Sequence, residues 1–288
     1  MKPVQFNIPK TQGTSFHVQK DEAQDFYGRL HQHPEWQITA IHKGEGILFA
    51  GNSSTSFQAG DVFMLGSNTP HLLKNSRNTQ SEVDTGVCSV SIFFGKDSFG
   101  KEFFSLPEMR QLDDYLKEAK RGIMFKGEQK EILFESLSSF LQKKGFDLLI
   151  DLLSMLKLMM NYQKQEFINS QYYDAESESR TDERMQKVLQ YSIQQLDQEI
   201  KLEEVAKEAN LSVSQFCRYF KLHTRKTYIQ YLNELRIEHA CSLLRREDLS
   251  ISQISFESGF QNLSHFNRQF LKIKEITPSS YRKQTHTY

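Results

Sequence analysis

Apolar residues follow two different periods along this chain. Between residues 31 and 94 the segments "HPEWQITAIHKG", "EGILFAG", "STSFQAGDVFMLG", "HLLKN" and "GVCSVSIFF" are short, rich in Ile, Val, Phe and Thr, and separated by Gly, Asn and Ser. They predict strands, and several short strands at this spacing predict a small barrel or sandwich. From about Leu106 the period lengthens. In "EMRQLDDYLKEAKRG", "KEILFESLSSFLQKKG" and "FDLLIDLLSMLKLMMNYQ" the apolar residues recur three and four apart and stop at Gly or a polar run, which predicts amphipathic helices. The polar, acidic, Ser-rich "SQYYDAESESRTDE" reads as a linker, with a capped helix start at Thr181 as the alternative. From Met185 to Tyr288 the pattern is helical throughout.

That last part repeats itself. "SQFCRYF" from Ser214 and "SHFNRQF" from Ser264 share S-x-F-x-R-x-F at an offset of 50 positions. On a helix, Phe216 and Phe220, like Phe266 and Phe270, fall on one face, while Ser214 with Arg218, and Ser264 with Arg268, share another. A single copy reads as an ordinary amphipathic helix with a solvated Arg; a second copy marks a duplicated unit. The upstream segments correspond as well. "LEEVAKEANLSVSQFCRYFK" places Leu202, Val205 and Ala206 on one face, breaks at Asn210 and Leu211, and resumes from a Ser212 cap. "ISQISFESGFQNLSHFNRQFLK" places Ile251, Ile254 and Ser255 on one face, breaks at Gly259 and Phe260, and resumes near Asn262. Each is a short helix, a tight turn around a residue able to take positive φ, and a second helix: a helix-turn-helix. Between them "TYIQYLNELRIEHACSLLRRE" lacks Gly and Pro and predicts a rigid spacer of roughly 30 Å, near the ~34 Å between successive major-groove faces of one DNA side.

With "LEEVAKEANLS", "FCRYFK", "YIQYLNELRIEHACSLL", "ISQISFESGF", "LSHFNRQF" and the closing "TPSSYR", residues 185–288 resemble the AraC/XylS-type DNA-binding domain. The resemblance implies a bacterial transcriptional regulator, an activator in the commonest form, that binds double-stranded promoter DNA. It places base-reading side chains at Ser214, Cys217 and Arg218 in the first unit and at Leu263, Ser264, Asn267 and Arg268 in the second. Arg218 and Arg268 suit guanine, Asn267 adenine and Leu263 a thymine methyl, the last two equally suiting a solvated helix face. Lys221, Lys272, Lys274 and Arg282 are phosphate-contact candidates by position, and also ordinary helix-end dipole partners. Two departures stand out. Arg225 and Glu275 replace the Gly that the family carries after each recognition helix, so a left-handed turn there falls to non-Gly residues. Ser255 and Ser258 stand where Ala and an aliphatic residue are commoner.

The front half resembles a cupin barrel over about residues 15–95, with H-x-H in "HQHPEWQITAIHKGEGILFAG" and G-D and P-H in "AGDVFMLGSNTPHLLK". In AraC-type regulators such a barrel senses a small-molecule effector, and the following helices support a homodimer; RNA polymerase is a further partner the resemblance implies. Strand alternation sets His33, Glu35, Gln37 and Thr39 on one face and Trp36, Ile38, Ala40 and His42 on the other. His31, His33, Glu35, Gln37 and His71 are therefore expected to line a ligand pocket. Gln37 occupies the place where enzymes with this motif carry a Glu, and a neutral amide is a poor ligand for a hard ion, so neither a metal nor a cofactor is assigned, and no catalytic residue. The alternative is a cupin-type metal-dependent enzyme fused to a DNA-binding domain.

The expected fold class is α+β: residues 1–105 as the cupin-like sensor, 106–165 as a helical extension for dimerisation, 166–184 as linker and 185–288 as the double helix-turn-helix domain. Composition agrees with two globular domains, at 288 residues, 25% charged and 38% hydrophobic. Formal net charge is zero, with 16 Lys and Arg against 13 Asp and Glu in residues 181–288, a mild excess that predicts modest non-specific DNA affinity. The start "MKPVQFNIPKTQGTSF" is polar and broken by Pro, unlike an export signal. Asp147, Asp151, Ser154, Lys157 and Asn161 stripe the most apolar run, unlike a membrane span. Cys88, Cys217 and Cys241 lie far apart without metal-ligand spacing, which suits a reducing compartment. These features predict a cytoplasmic protein with no membrane contact.

Overall fold

A computed structural model describes residues 4–9, 13–75, 86–128, 130–169, 183–224 and 226–285. Among them, residues 4–53 and 57–169 build one compact unit and residues 183–285 the body of another.

The front unit is two sheets and three helices. Its strands are β1 (Val4–Gln5), β2 (His17–Ala23), β3 (His31–Gln32), β4 (Trp36–Lys43), β5 (Gly46–Ala50), β6 (Ser53–Phe57), β7 (Val62–Leu65), β8 (His71–Asn75), β9 (Val87–Phe94), β10 (Ile123–Phe125) and β11 (Gln165–Phe167). One sheet runs β1-β3-β8-β5-β6 and the other β11-β10-β7-β4-β9-β2. The helices are α1 (Arg110–Glu118), α2 (Lys130–Ser139) and α3 (Gly145–Met160).

The second sheet is covered on both sides, which is why every residue of β9 is buried. Its outer face, Ile38, Ala40, Val62, Met64, Val90, Ile92 and Phe94, packs on Leu112 and Leu116 of α1, Leu133 and Leu137 of α2, and Leu152 and Met155 of α3. Its inner face contributes Ile41, Phe63 and Leu65 to a second cluster with Leu48, Phe57 and Leu73 of the opposing sheet. Trp36, expected on the outer face, stacks on Phe94 and donates its indole N–H to the Leu116 carbonyl at 3.0 Å.

Two boundaries differ from the sequence reading. The segment after the barrel is not purely helical: "IMF" at 123–125 is a strand between β7 and β11, too short and too apolar to reveal a period. Residues 165–167 pair with it in antiparallel register, so the expected linker starts later than 166. Beyond β11, Asn169 is buried and donates its side-chain amide to the Ala50 carbonyl at 2.9 Å and the Arg121 carbonyl at 3.1 Å, tying the chain back to the sheet. The rest of that linker, through 182, lies outside the described residues.

The back unit holds α4 (Glu183–Gln194), α5 (Leu202–Glu208), α6 (Val213–Thr224), α7 (Tyr228–Leu243), α8 (Ile251–Glu257), α9 (Leu263–Lys274) and α10 (Pro278–Thr285). α7 has 16 residues and spans about 24 Å, shorter than the predicted spacer, because its final residues leave the helix where Arg246 turns to pair with Asp248. Among the described residues, no helix is long and apolar enough to cross a membrane.

The two turns are built alike. Asn210 and Gly259 take φ of 52° and 89°. The following amide closes the same bond back across the helix end, Leu211 N–H to the Ala206 carbonyl at 2.9 Å and Phe260 N–H to the Ser255 carbonyl at 3.0 Å. Ser255 and Ser258 are fully buried, and the Ser258 hydroxyl donates to the Ile254 carbonyl at 2.7 Å, so that polar group is accommodated inside the helix pair. The left-handed turn expected after the second recognition helix is present at Glu275, with φ 61° and ψ 2°. The corresponding Arg225 lies outside the described residues. Because a side chain in this conformation costs about 1 kcal/mol, Glu275→Gly is expected to stabilise the back unit by about 0.5–1 kcal/mol, read as a higher urea midpoint by circular dichroism. An unchanged or lower midpoint contradicts the strain assigned to this turn.

Candidate functional sites

In the back unit the paired helices present one face and bury the other. Phe216, Phe220, Phe266 and Phe270 are wholly inaccessible. Phe216 and Phe220 meet the rings of Tyr228 at 5.3 Å, and Phe220 meets Tyr231 at the same distance, all at the start of α7. Phe266 and Phe270 pack with Phe260, Tyr281 and the far end of α7 through Ile237, Ala240 and Cys241. With those rings as anchors, α6 exposes Ser214, Cys217 and Arg218, and α9 exposes Leu263, Ser264, Asn267 and Arg268. All seven predicted residues are accessible, on the faces turned away from the cores. Among the described residues, neither Arg218 nor Arg268 has a carboxylate within ion-pair distance, so both guanidinium groups remain available.

The helix starts are fixed locally. Ser212 and Gln215 cap each other at the start of α6, the Ser212 amide donating to Gln215 Oε1 at 3.1 Å. Asn262 Oδ1 accepts the His265 amide at 3.1 Å at the start of α9. Of the phosphate-contact candidates, Lys274 is engaged with Glu238 of α7 at 2.5 Å and Arg282 donates to the Leu249 carbonyl at 2.8 Å, so both hold the fold together.

A residue that sequence reading passed over ties the two helix-turn-helix halves together within the back unit. Arg236, at the middle of α7, donates Nε to the Leu196 carbonyl at 3.1 Å and Nη2 to the Gln198 carbonyl at 2.6 Å. Its guanidinium lies 5.9 Å from the Phe260 ring centre. A Cβ on Gly259 would collide with both Arg236 Nε and the Leu196 carbonyl oxygen, so the turn of the second helix-turn-helix abuts the segment that leads into the first, all within the back unit. The only sequence signal was a charge within an otherwise half-buried helix face.

In the front unit a cavity of about 300 Å³ opens between the sheets. His31, His33, Gln37 and His71 line it, as does Thr39. A chain of hydrogen bonds crosses its floor: His33 Nε2 with Gln37 Oε1 at 3.1 Å, the Gln37 amide to Thr39 Oγ1 at 2.9 Å, and Thr39 Oγ1 with Ser91 Oγ at 2.8 Å. Phe26, Tyr27, Leu73 and Phe93 make the apolar wall. Ser91 and Phe93 were missed; the alternation of small polar and apolar residues in "VCSVSIFF" was the available signal.

Glu35 departs from expectation. It faces a neighbouring cleft with His17, Phe93 and Lys96, and its Oε2 is 3.7 Å from His33 Nδ1. The reason is local: His31 belongs to β3, residues 33–35 form a bend, and β4 begins at Trp36, so strand alternation does not run through Glu35. The H-x-H pair is accordingly not on one strand. Burial pushes the His31 pKa down to about 4, lowers that of His33, and lowers that of His71 well below the usual value, so all three rings are neutral near pH 7.

Comparison with known proteins follows the same division. Residues 205–284 match the helix-turn-helix domain family and residues 13–83 the AraC-like ligand-binding domain family. An uncharacterised helix-turn-helix-type transcriptional regulator of Bacillus subtilis, YdeC, is 28% identical over 265 residues, covering 89% of this chain and 87% of that protein. A second such regulator, from Haemophilus influenzae, is 24% identical over 273 residues, covering 86% and 90%. The transcriptional activator RhaS of Klebsiella pneumoniae is 34% identical over 109 residues, covering 38% and 39%. None of these likenesses supports the enzyme alternative.

The position of Arg236 gives a direct test of the back unit's cohesion. Arg236→Lys keeps the charge but loses the two-pronged contact with the Leu196 and Gln198 carbonyls, and is expected to cost about 1–3 kcal/mol in urea unfolding followed by circular dichroism. A midpoint equal to wild type shows that the contact contributes nothing.

Proposed function

Because the chain belongs to the AraC family of DNA-binding transcriptional regulators and carries that family's ligand-binding domain, we propose that it reads a two-part promoter site with α6 and α9, and that a small molecule in the front cavity modulates this reading. One observation carries the first half: seven side chains at the family's base-reading positions are exposed on two helices whose opposite faces are locked by buried Phe pairs. Arg218 and Arg268 each read a guanine through O6 and N7, one per half-site. Ser214, Cys217, Leu263, Ser264 and Asn267 complete the reading surface.

Arg236 and the shared helix α7 hold the two readers as one body, so half-site spacing is part of what is recognised. In the front cavity the hydrogen-bonded floor of His33, Gln37, Thr39 and Ser91 sets the orientation of an effector, and the aromatic wall contributes burial. An effector acts only through different affinities for two states of the protein. The protein works in the cytoplasm as a homodimer and contacts RNA polymerase at the promoter. Supporting the dimer, α3 exposes Phe146 and Ile150 four residues apart and Leu158 eight further on, with Phe146 74% exposed.

The test is selection of bound sequences from a random duplex library by the full-length protein. A two-part motif is expected for wild type, and Arg218→Ala and Arg268→Ala should each relax one half only, by about 1–3 kcal/mol at the affected base pair. Loss of no half, or uniform weakening of both, refutes the residue assignment. For the dimer, sedimentation at micromolar concentration should give twice the chain mass, and Ile150→Asp the chain mass.

A further inference from the structure

Among the described residues that line the front cavity there is no Lys or Arg, whereas Asp21 and Asp25 bring two carboxylates to it. Its three histidines add acceptors. His31 Nδ1 meets the Arg29 carbonyl at 2.8 Å, His71 Nδ1 the Thr69 carbonyl at 2.8 Å and His33 Nδ1 the Glu35 carbonyl at 3.1 Å. A carbonyl oxygen only accepts, so Nδ1 carries the hydrogen in each ring and Nε2 keeps a bare lone pair. Gln37 fits this tautomer at His33 when its NH2 faces Nε2 and its oxygen faces the Thr39 hydroxyl. His71, 1% exposed, has its Nε2 without any partner, a buried acceptor that awaits a donor. The rings are spaced for a single donor group. His31 and His71 are direct cross-strand partners with ring centres 4.3 Å apart, and His33 lies 5.1 Å from His71. One ring nitrogen from each lies within 4.8 Å of the other two, so one point stands within about 2.8 Å of all three, a hydrogen-bond distance. The three N–H bonds of a primary ammonium point in tetrahedral directions, which sets its acceptors ~4.7 Å apart at a donor–acceptor distance of ~2.9 Å.

We propose that the front cavity binds an organic primary ammonium, its three N–H groups directed to the Nε2 atoms of His31, His33 and His71 and its carbon skeleton lying against Phe26, Leu73 and Phe93. Burying the charge is costly, and three charge-assisted hydrogen bonds, the carboxylates of Asp21 and Asp25 and the aromatic wall offset that cost. At His33 the ammonium takes the lone pair that the Gln37 amide otherwise meets. Other ligand classes fit less well. A carboxylate or phosphate would face bare lone pairs and two carboxylates with no cation to pair with. A hydroxyl donates one hydrogen, so a sugar needs a separate hydroxyl for each ring. A quaternary ammonium keeps the charge and has no hydrogen to donate. That the bound amine is the effector rests on reading the cavity as the effector's; the ammonium site itself does not.

The experiment is calorimetric titration of the full-length protein, with a chelator present, by butylamine, phenethylamine and cadaverine. Each is paired with its matched alcohol and carboxylate, and phenethylamine also with its N-trimethylated form. Saturable binding of at least one amine, one per chain, is expected, with the alcohol, the carboxylate and the trimethylated form each weaker by at least roughly 10-fold. His31→Leu and His71→Leu should each weaken the amine by roughly 10–100-fold, the loss of one hydrogen bond to a charged group. Fluorescence of Trp36, the single Trp, reports whether the front unit of each variant is folded, and the ladder of ligands tests the wild type alone if neither variant folds. Failure of every amine to bind, a matched alcohol or carboxylate that binds as tightly, or folded variants that bind as wild type does overturn the proposal. DNA binding is measured on the same samples. A chain that reads DNA and binds no amine loses the ammonium site and keeps the regulator reading, and one that binds the amine and reads no DNA does the reverse.

Discussion

Both helix-turn-helix cores share one helix, and the rest of the back unit follows from that constraint. The start of α7 supplies Tyr228 and Tyr231 to the Phe216 and Phe220 cluster, and its far end supplies Ile237, Ala240 and Cys241 to the Phe266 and Phe270 cluster. Between them Arg236 fastens the Leu196 and Gln198 carbonyls beside the Gly259 turn. Close-packed aromatic clusters do not deform continuously, so neither recognition helix shifts without disturbing the helix it shares with the other. Exposed Arg218 and Arg268 thereby keep a set separation, which is what a two-part DNA site requires.

The duplication was legible because each of its parts has a local physical cause. Phe at i and i+4 marks a buried face, Ser212 and Asn262 mark helix starts, and Asn210 and Gly259 mark the left-handed turn between helices. Even the departure at Glu275 was visible, since the turn is dictated by the connection and not by the residue that makes it. What escaped notice depends on contacts between distant segments. β10 and β11 are three residues each and pair only because β7 and Asn169 hold them in place. Glu35 was misplaced because alternation was extended through the bend at residues 33–35. Arg236 looked like one more helix charge, its partners being main-chain carbonyls some 40 positions away.

The front unit solves a different problem with the same economy of elements. β4 turns Ile38 and Ala40 toward the helices and Gln37 and Thr39 toward the cavity, so one strand carries both the core and the floor of the pocket. With α1 to α3 on one face of β9 and the opposing sheet across from the other, the whole strand is buried, and Val87, Ser89, Ser91 and Phe93 on its inner face line the cavity. Desolvation keeps His31, His33 and His71 neutral, and the carbonyl anchors decide which nitrogen of each ring faces inward. The recognition chemistry of the pocket is thus set by main-chain geometry as much as by residue type.

The most direct measurement of the rigid two-part reading is affinity for duplexes that keep both half-sites but change the distance between them. With about 5 bp inserted, roughly half a turn, one half-site moves to the opposite side of the DNA. A reader held together by α7 and Arg236 should then fall to the affinity of a single half-site, a loss of about a hundredfold at constant salt. Affinity that is unchanged by the insertion would contradict the shared-helix constraint and show two domains reading DNA independently.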